Sequence, residues 1–173
     1  MKGARKDPRH RAREAALQVL YQWEIGRTDV ASAADTFFGL QWADAEPPPD
    51  DLRTFATELA HDTVRRLADA DALIADTAER WRPERMAVLD RLILRMAVTE
   101  LLRQARPAIA SGATASVADS AAGKAARQLG REELPPPAVV INEALELART
   151  FSTEDAVKFI NGMLDAIRKK LEL

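Results

Sequence analysis

The chain of 173 residues contains no cysteine. That excludes disulfides, thiolate metal sites and cysteine nucleophiles, and removes any need for an oxidising compartment. Histidine is nearly absent too, with only His10 and His61, so imidazole-based metal clusters and proton relays have little material. Glycine is limited to seven residues, and none builds a phosphate-cradling loop. Neither HExxH nor GxSxG occurs. No run approaches the ~20 apolar residues needed to span a bilayer. The N-terminus runs into arginines without the apolar segment of a secretory signal. These absences point to a cytoplasmic protein with no membrane contact, no cofactor or metal and no enzymatic machinery.

What is present is helix-forming sequence. Strict apolar–polar alternation is nowhere sustained, so the expected fold is all-α with no sheet. The apolar spacing predicts about seven helices, over 9–25, 30–40, 51–67, 70–78, 84–103, 138–151 and 154–171. Pro8 suits the start of the first helix and Gly26 its stop. Asp29 is a candidate N-cap for the second, and Ser152 or Thr153 for the last. The three prolines at 47–49 cannot lie inside a helix. The whole chain, 1–173, reads as one domain, with 1–8 as a flexible basic arm. Segment 105–137, rich in Ala, Ser, Gly and Pro, reads as a mobile surface insertion.

The formal net charge of −2 conceals an asymmetry. Lys2, Arg5, Lys6, Arg9, Arg11 and Arg13 face only Asp7 within residues 2–13, leaving 19 basic residues against 26 acidic ones elsewhere. A basic arm on an acidic body acts locally, within a Debye length of ~8 Å. Arginine forks bind phosphate bidentately and stack on bases, so the arm suggests RNA, with a solvated tail as the alternative. The sole tyrosine, Tyr21, lies ~200° around its helix from the core-facing Trp23. There it is either a stacking platform for an unpaired base or packed sideways between helices. In the last helix Gly162, beside Asn161, suggests close approach of a neighbouring helix, while Lys158 points elsewhere. The strongest apolar stripe runs from Leu89 to Leu101 and leaves Asp90, Arg91, Arg95 and Glu100 for an outer face.

Three stretches together resemble the NusB family: Arg9–Glu24 (RHRAREAALQVLYQWE), Leu89–Leu102 (LDRLILRMAVTELL), and Ile141–Arg149 (INEALELAR) continuing to Lys158–Asp165 (KFINGMLD). The resemblance implies two packed bundles of the three-helix type. It implies binding of boxA-type single-stranded RNA together with NusE, a small-subunit ribosomal protein. The setting would be an RNA polymerase antitermination complex that supports ribosomal RNA synthesis. By position, Arg9, Arg11 and Arg13 match the family's RNA-contacting arginines, with Lys2, Arg5 and Lys6 extending the arm. Tyr21 matches its first-helix tyrosine, and Lys158 and Phe159 match its Lys-Phe pair near the RNA. Asp90, Arg91, Arg95 and Glu100 match the helix that lies toward NusE. His10 stands where many relatives carry Arg or Lys. Two alternatives remain open: a helical protein-interaction adaptor that does not bind RNA, and the RNA-binding module of an RNA methyltransferase. Self-association as a homodimer is also open.

Overall fold

The computed structural model describes residues 7–42, 48–78, 82, 85–109 and 134–173. Among them are seven α-helices: α1 (Pro8–Gly26), α2 (Val30–Thr36), α3 (Asp50–Arg65), α4 (Leu67–Thr77), α5 (Val88–Ile109), α6 (Pro137–Phe151) and α7 (Glu154–Lys170). A π-helical turn, Phe37–Gln41, extends α2, so the second predicted helix is one continuous element of two geometries. No described residue lies in a strand. The all-α reading therefore holds.

Local chemistry sets most of the boundaries. Asp7 Oδ1 accepts from the Arg9 amide at 2.8 Å and caps α1 just ahead of Pro8. Asp29 caps α2 through the Ser32 amide at 2.9 Å, and Thr153 caps α7 through the Ala156 amide at 3.2 Å, as their sequence positions suggest. Other boundaries shift. The left-handed residue that ends α1 is Arg27, at φ 49°, one position beyond Gly26. A single residue, Arg66, separates α3 from α4. α5 begins at Val88 rather than at Glu84 and continues to Ile109. Most of the predicted insertion, 110–133, lies outside the described residues, as do 1–6.

Two bundles share α5. The first is α1, α2 and α3, and α5 closes it by packing on α1 and α3. The second is α4, α5, α6 and α7. Because helices surround α5, every residue from Leu92 to Leu101 is buried. The off-stripe residues Leu94 and Val98 are as fully covered as Leu92 and Ile93. A helix apolar on all sides belongs at the centre of a fold, and any charge it carries there must be paired.

Charged pairs accordingly tie α5 to its neighbours. Asp62 of α3 accepts from Arg103 Nε at 2.5 Å and also pairs with Arg65. Burial pushes the Asp62 carboxyl up, but the Arg103 hydrogen bond and the charges of Arg103, Arg65 and Arg66 outweigh it and hold it below the usual carboxylate range. A depressed carboxylate contributes stability that is present above its unfolded pKa and is lost as pH falls through its folded value. Asp62→Asn should therefore cost about 1–3 kcal/mol at neutral pH. It should also flatten the acid limb of a stability–pH profile measured by urea melts. An unchanged acid limb would mean that Asp62 is not a source of acid sensitivity.

Gly162 corrects a sequence expectation. Among the described residues a Cβ built there meets nothing within 4 Å, and the residue is exposed, so no described helix approaches it closely. Gly162→Ala should stabilise the protein by about 0.5–1 kcal/mol, the ordinary gain at an exposed helix interior. A destabilised thermal melt would restore the close-approach reading.

Candidate nucleic-acid interface

The first turns of α1 carry Arg9, Arg11 and Arg13, and the structure gives them different environments. Arg9 is exposed and Arg11 half-buried. Each lies over an aromatic ring: the Arg9 guanidinium carbon is 4.6 Å from the Phe55 ring centroid, and that of Arg11 is 5.3 Å from the Trp42 ring centroid. Such stacking holds a guanidinium on an apolar support while leaving its edge to meet an acceptor.

Arg13 is only 3% exposed. Its Nε and Nη2 donate to the two carboxylate oxygens of Glu100 at 2.9 and 2.8 Å. Nη1 donates to the Arg9 carbonyl at 3.4 Å and lies 3.8 Å from Glu143. Burial alone lowers the Arg13 pKa, but the Glu100 hydrogen bond and charge, then the charges of Glu143 and Asp7, raise it overall. The guanidinium is thus a fixed cation inside the fold. His10 joins the same cluster, with Nδ1 2.9 Å from Glu143 Oε2 and Nε2 3.4 Å from Glu14 Oε1.

Further along, Tyr21 is 42% exposed on α1, near Ile25. It is ~15 Å from Arg11 along the helix axis at 1.5 Å per residue. On α7, Phe159 is 41% exposed and Lys158 beside it is exposed. The structure thus brings the arginines together on α1 and presents the Lys-Phe pair from a separate helix, packed on α4, α5 and α6. Lys2, Arg5 and Lys6 lie outside the described residues.

The outer face expected of α5 is absent. Glu100 is 4% exposed and paired with Arg13. Arg95 is 7% exposed and grips Asp71 of α4 through two hydrogen bonds at 2.8 and 2.7 Å. Arg91, half-buried, donates to Glu24 of α1 at 2.7 Å. Asp90 is half-buried, and its Oδ1 has no hydrogen-bond partner among the described residues. The amphipathic reading fails from Leu92 to Leu101, where α5 is covered on all sides.

Comparison with known proteins decides the family. The NusB family model matches residues 10–115 and 114–169. The chain belongs to the NusB family. The transcription antitermination protein NusB of Solibacter usitatus is 37% identical over 163 residues, covering 94% of this chain and 90% of its own. That of Koribacter versatilis is 36% identical over 164 residues, with 95% and 90% covered. Among solved structures, T. maritima NusB superposes with a TM-score of 0.66 at 28% identity, covering 97% of this chain and 99% of its own. The NusB chain solved with NusE and dsRNA shares the fold at a TM-score of 0.66 and 22% identity, covering 94% and 97%.

Within this NusB-family fold, sequence reasoning missed the aromatic supports. Phe55 lies within the helix predicted over 51–67, and Trp42 falls in the break after the second helix. Nothing in their spacing relates them to Arg9 and Arg11, because the stacking partners come from other elements. Among the described residues no group of three or more His, Cys, Asp or Glu is placed to hold a metal. No described helix is long and apolar enough to cross a membrane.

Proposed function

We propose that this protein is a transcription antitermination factor that binds boxA-type single-stranded RNA together with NusE, within an RNA polymerase complex that supports ribosomal RNA synthesis. The observation that carries this reading is the pairing of cationic and aromatic groups at the surface. Arg9 and Arg11 stand on aromatic supports at the end of a basic arm, while Tyr21 and Phe159 remain exposed. Exposed rings beside cations suit unpaired bases, whose faces a duplex conceals. The antitermination names of the relatives support the same role, and the fold shared with a NusB chain solved with NusE and dsRNA supports RNA and NusE as partners.

In this reading Lys2, Arg5, Lys6, Arg9 and Arg11 meet phosphates, with Lys158 as a further contact. Phe159 and Tyr21 stack bases. Arg13 serves from beneath, holding α1 on α5. NusE meets the start of α5 around Asp90 and Arg91, where the Arg91–Glu24 pair joins it to the end of α1. Arg95 and Glu100 position that helix from inside.

The test is titration of a single-stranded boxA RNA at several salt concentrations, with and without NusE. The expected result is salt-sensitive binding that NusE tightens. Binding of NusE with no RNA affinity at any salt would favour the adaptor alternative. Solution mass measured with and without RNA would show whether self-association competes.

A further inference from the structure

The Arg11–Trp42 contact borders a second feature of the arginine surface. Between α1 and the π-helical turn lies an open cavity of about 220 Å³, lined by Arg11, Glu14, Gln18, Phe37, Gln41 and Trp42, among others. Its lining combines two aromatic rings, one cation, one carboxylate and two side-chain amides. We infer that this cavity is a nucleobase pocket, with Trp42 as its stacking platform and Glu14 as its acceptor for a base edge bearing N–H donors. The inference rests on the RNA reading above and extends it to a specific subsite.

Three observations carry it. First, the Trp42 ring is already immobilised: Phe37 packs edge-on against it at 6.2 Å and 88°, and Phe38 lies 5.8 Å away at 38°. A platform held this way loses little conformational freedom on binding. Second, Arg11 places a second planar, cationic group 5.3 Å from the ring centroid. Bases stack on both aromatic rings and guanidinium planes. Third, the polar lining matches the edge of a base rather than a phosphate or an aliphatic chain. Glu14 accepts only, whereas Gln18 and Gln41 both donate and accept. Gln22 Nε2 donates to Gln41 Oε1 and ties that side chain to α1. A carboxylate repels phosphate but takes paired N–H donors, and among the RNA bases guanine offers two adjacent ones, its imino N–H and its amino group.

The experiment uses the full chain and two probes, fluorescein-labelled oligouridine and the same oligomer with one central guanine, read by anisotropy at low salt. Wild type should prefer the guanine-containing oligomer by several-fold. Trp42→Ala should weaken its binding roughly ten-fold or more, the usual effect of removing a base-stacking ring. Trp42→Phe should restore most of the affinity. Glu14→Gln should bind both probes but lose the preference between them. Trp42→Ala binding like wild type, or Glu14→Gln keeping the preference, would overturn the pocket while leaving the RNA reading intact. If Trp42→Ala fails to fold, the Glu14→Gln selectivity decides the question by itself. Binding of neither probe by wild type would instead remove the RNA reading, and the pocket with it.

Discussion

Glu100→Ala should lose about 3–5 kcal/mol of stability, a large fraction of the ~5–15 kcal/mol typical of a native protein. The substitution strands the guanidinium of Arg13, a residue only 3% exposed that donates its two shortest hydrogen bonds to Glu100. Arg13→Ala should cost a similar amount by stranding the carboxylate. The double variant Arg13→Met/Glu100→Leu should recover most of the loss, because replacing a buried ion pair with apolar residues of similar volume is often near neutral. Urea melts of wild type, Arg13→Ala, Glu100→Ala and Arg13→Ala/Glu100→Ala form a double-mutant cycle that isolates the coupling. A loss below about 1 kcal/mol for Glu100→Ala would mean that water reaches the pair and that its burial is not what holds it. This expectation replaces the one drawn from the helix stripe, which puts Glu100 on an outer face. The structure places Glu100 and Arg95 where reversal disrupts packing before it touches any partner.

The second large effect is on RNA. Arg9→Ala/Arg11→Ala/Lys158→Ala removes three exposed or half-exposed cations while retaining the buried Arg13. For single strands, log K falls with log salt by about 0.7 per neutralised phosphate, so the slope should flatten by up to about 2. Affinity at moderate salt should drop by one to two orders of magnitude, as expected when that many phosphate contacts are lost. Helicity should be preserved, since alanine is the best helix former. The cation–ring contacts of Arg9 and Arg11 contribute only about 0.5–1 kcal/mol each at exposed sites. The measurement is RNA titration at four or more salt concentrations beside wild type. Identical slopes and affinities would mean that Arg9, Arg11 and Lys158 make no RNA contact. Leaving Arg13 in place matters, because a triple substitution that included it would confound lost contacts with lost stability.

The candidate site was legible in part. Arg9, Arg11, Tyr21, Lys158 and Phe159 could be singled out because chemistry-bearing residues at a surface need only be found in the chain. Tyr21 and Phe159 are indeed exposed. Gly162 misled because a glycine inside a helix signals either close approach or a bare surface, and only the space around it distinguishes the two. Trp42 escaped notice because a proline-rich break follows it, although the ring packs with Phe37 and Phe38.

By itself the sequence determined the class of structure and most element positions. Asp29 and Thr153 cap their helices through bonds to residues three positions away, and Pro8 and the prolines at 47–49 restrict their own backbones. These are local effects, complete within a turn of chain. The tertiary structure alone decided which charges lie inside. Arg13 meets Glu100 across 87 residues, Arg103 meets Asp62 across 41, and Arg95 meets Asp71 across 24. A helix stripe shows which side of α5 must avoid water, but it cannot show that the opposite side is covered as well. That depends on how many neighbours pack around the helix, and an arginine and a glutamate are stable there only because the fold brings each to the other.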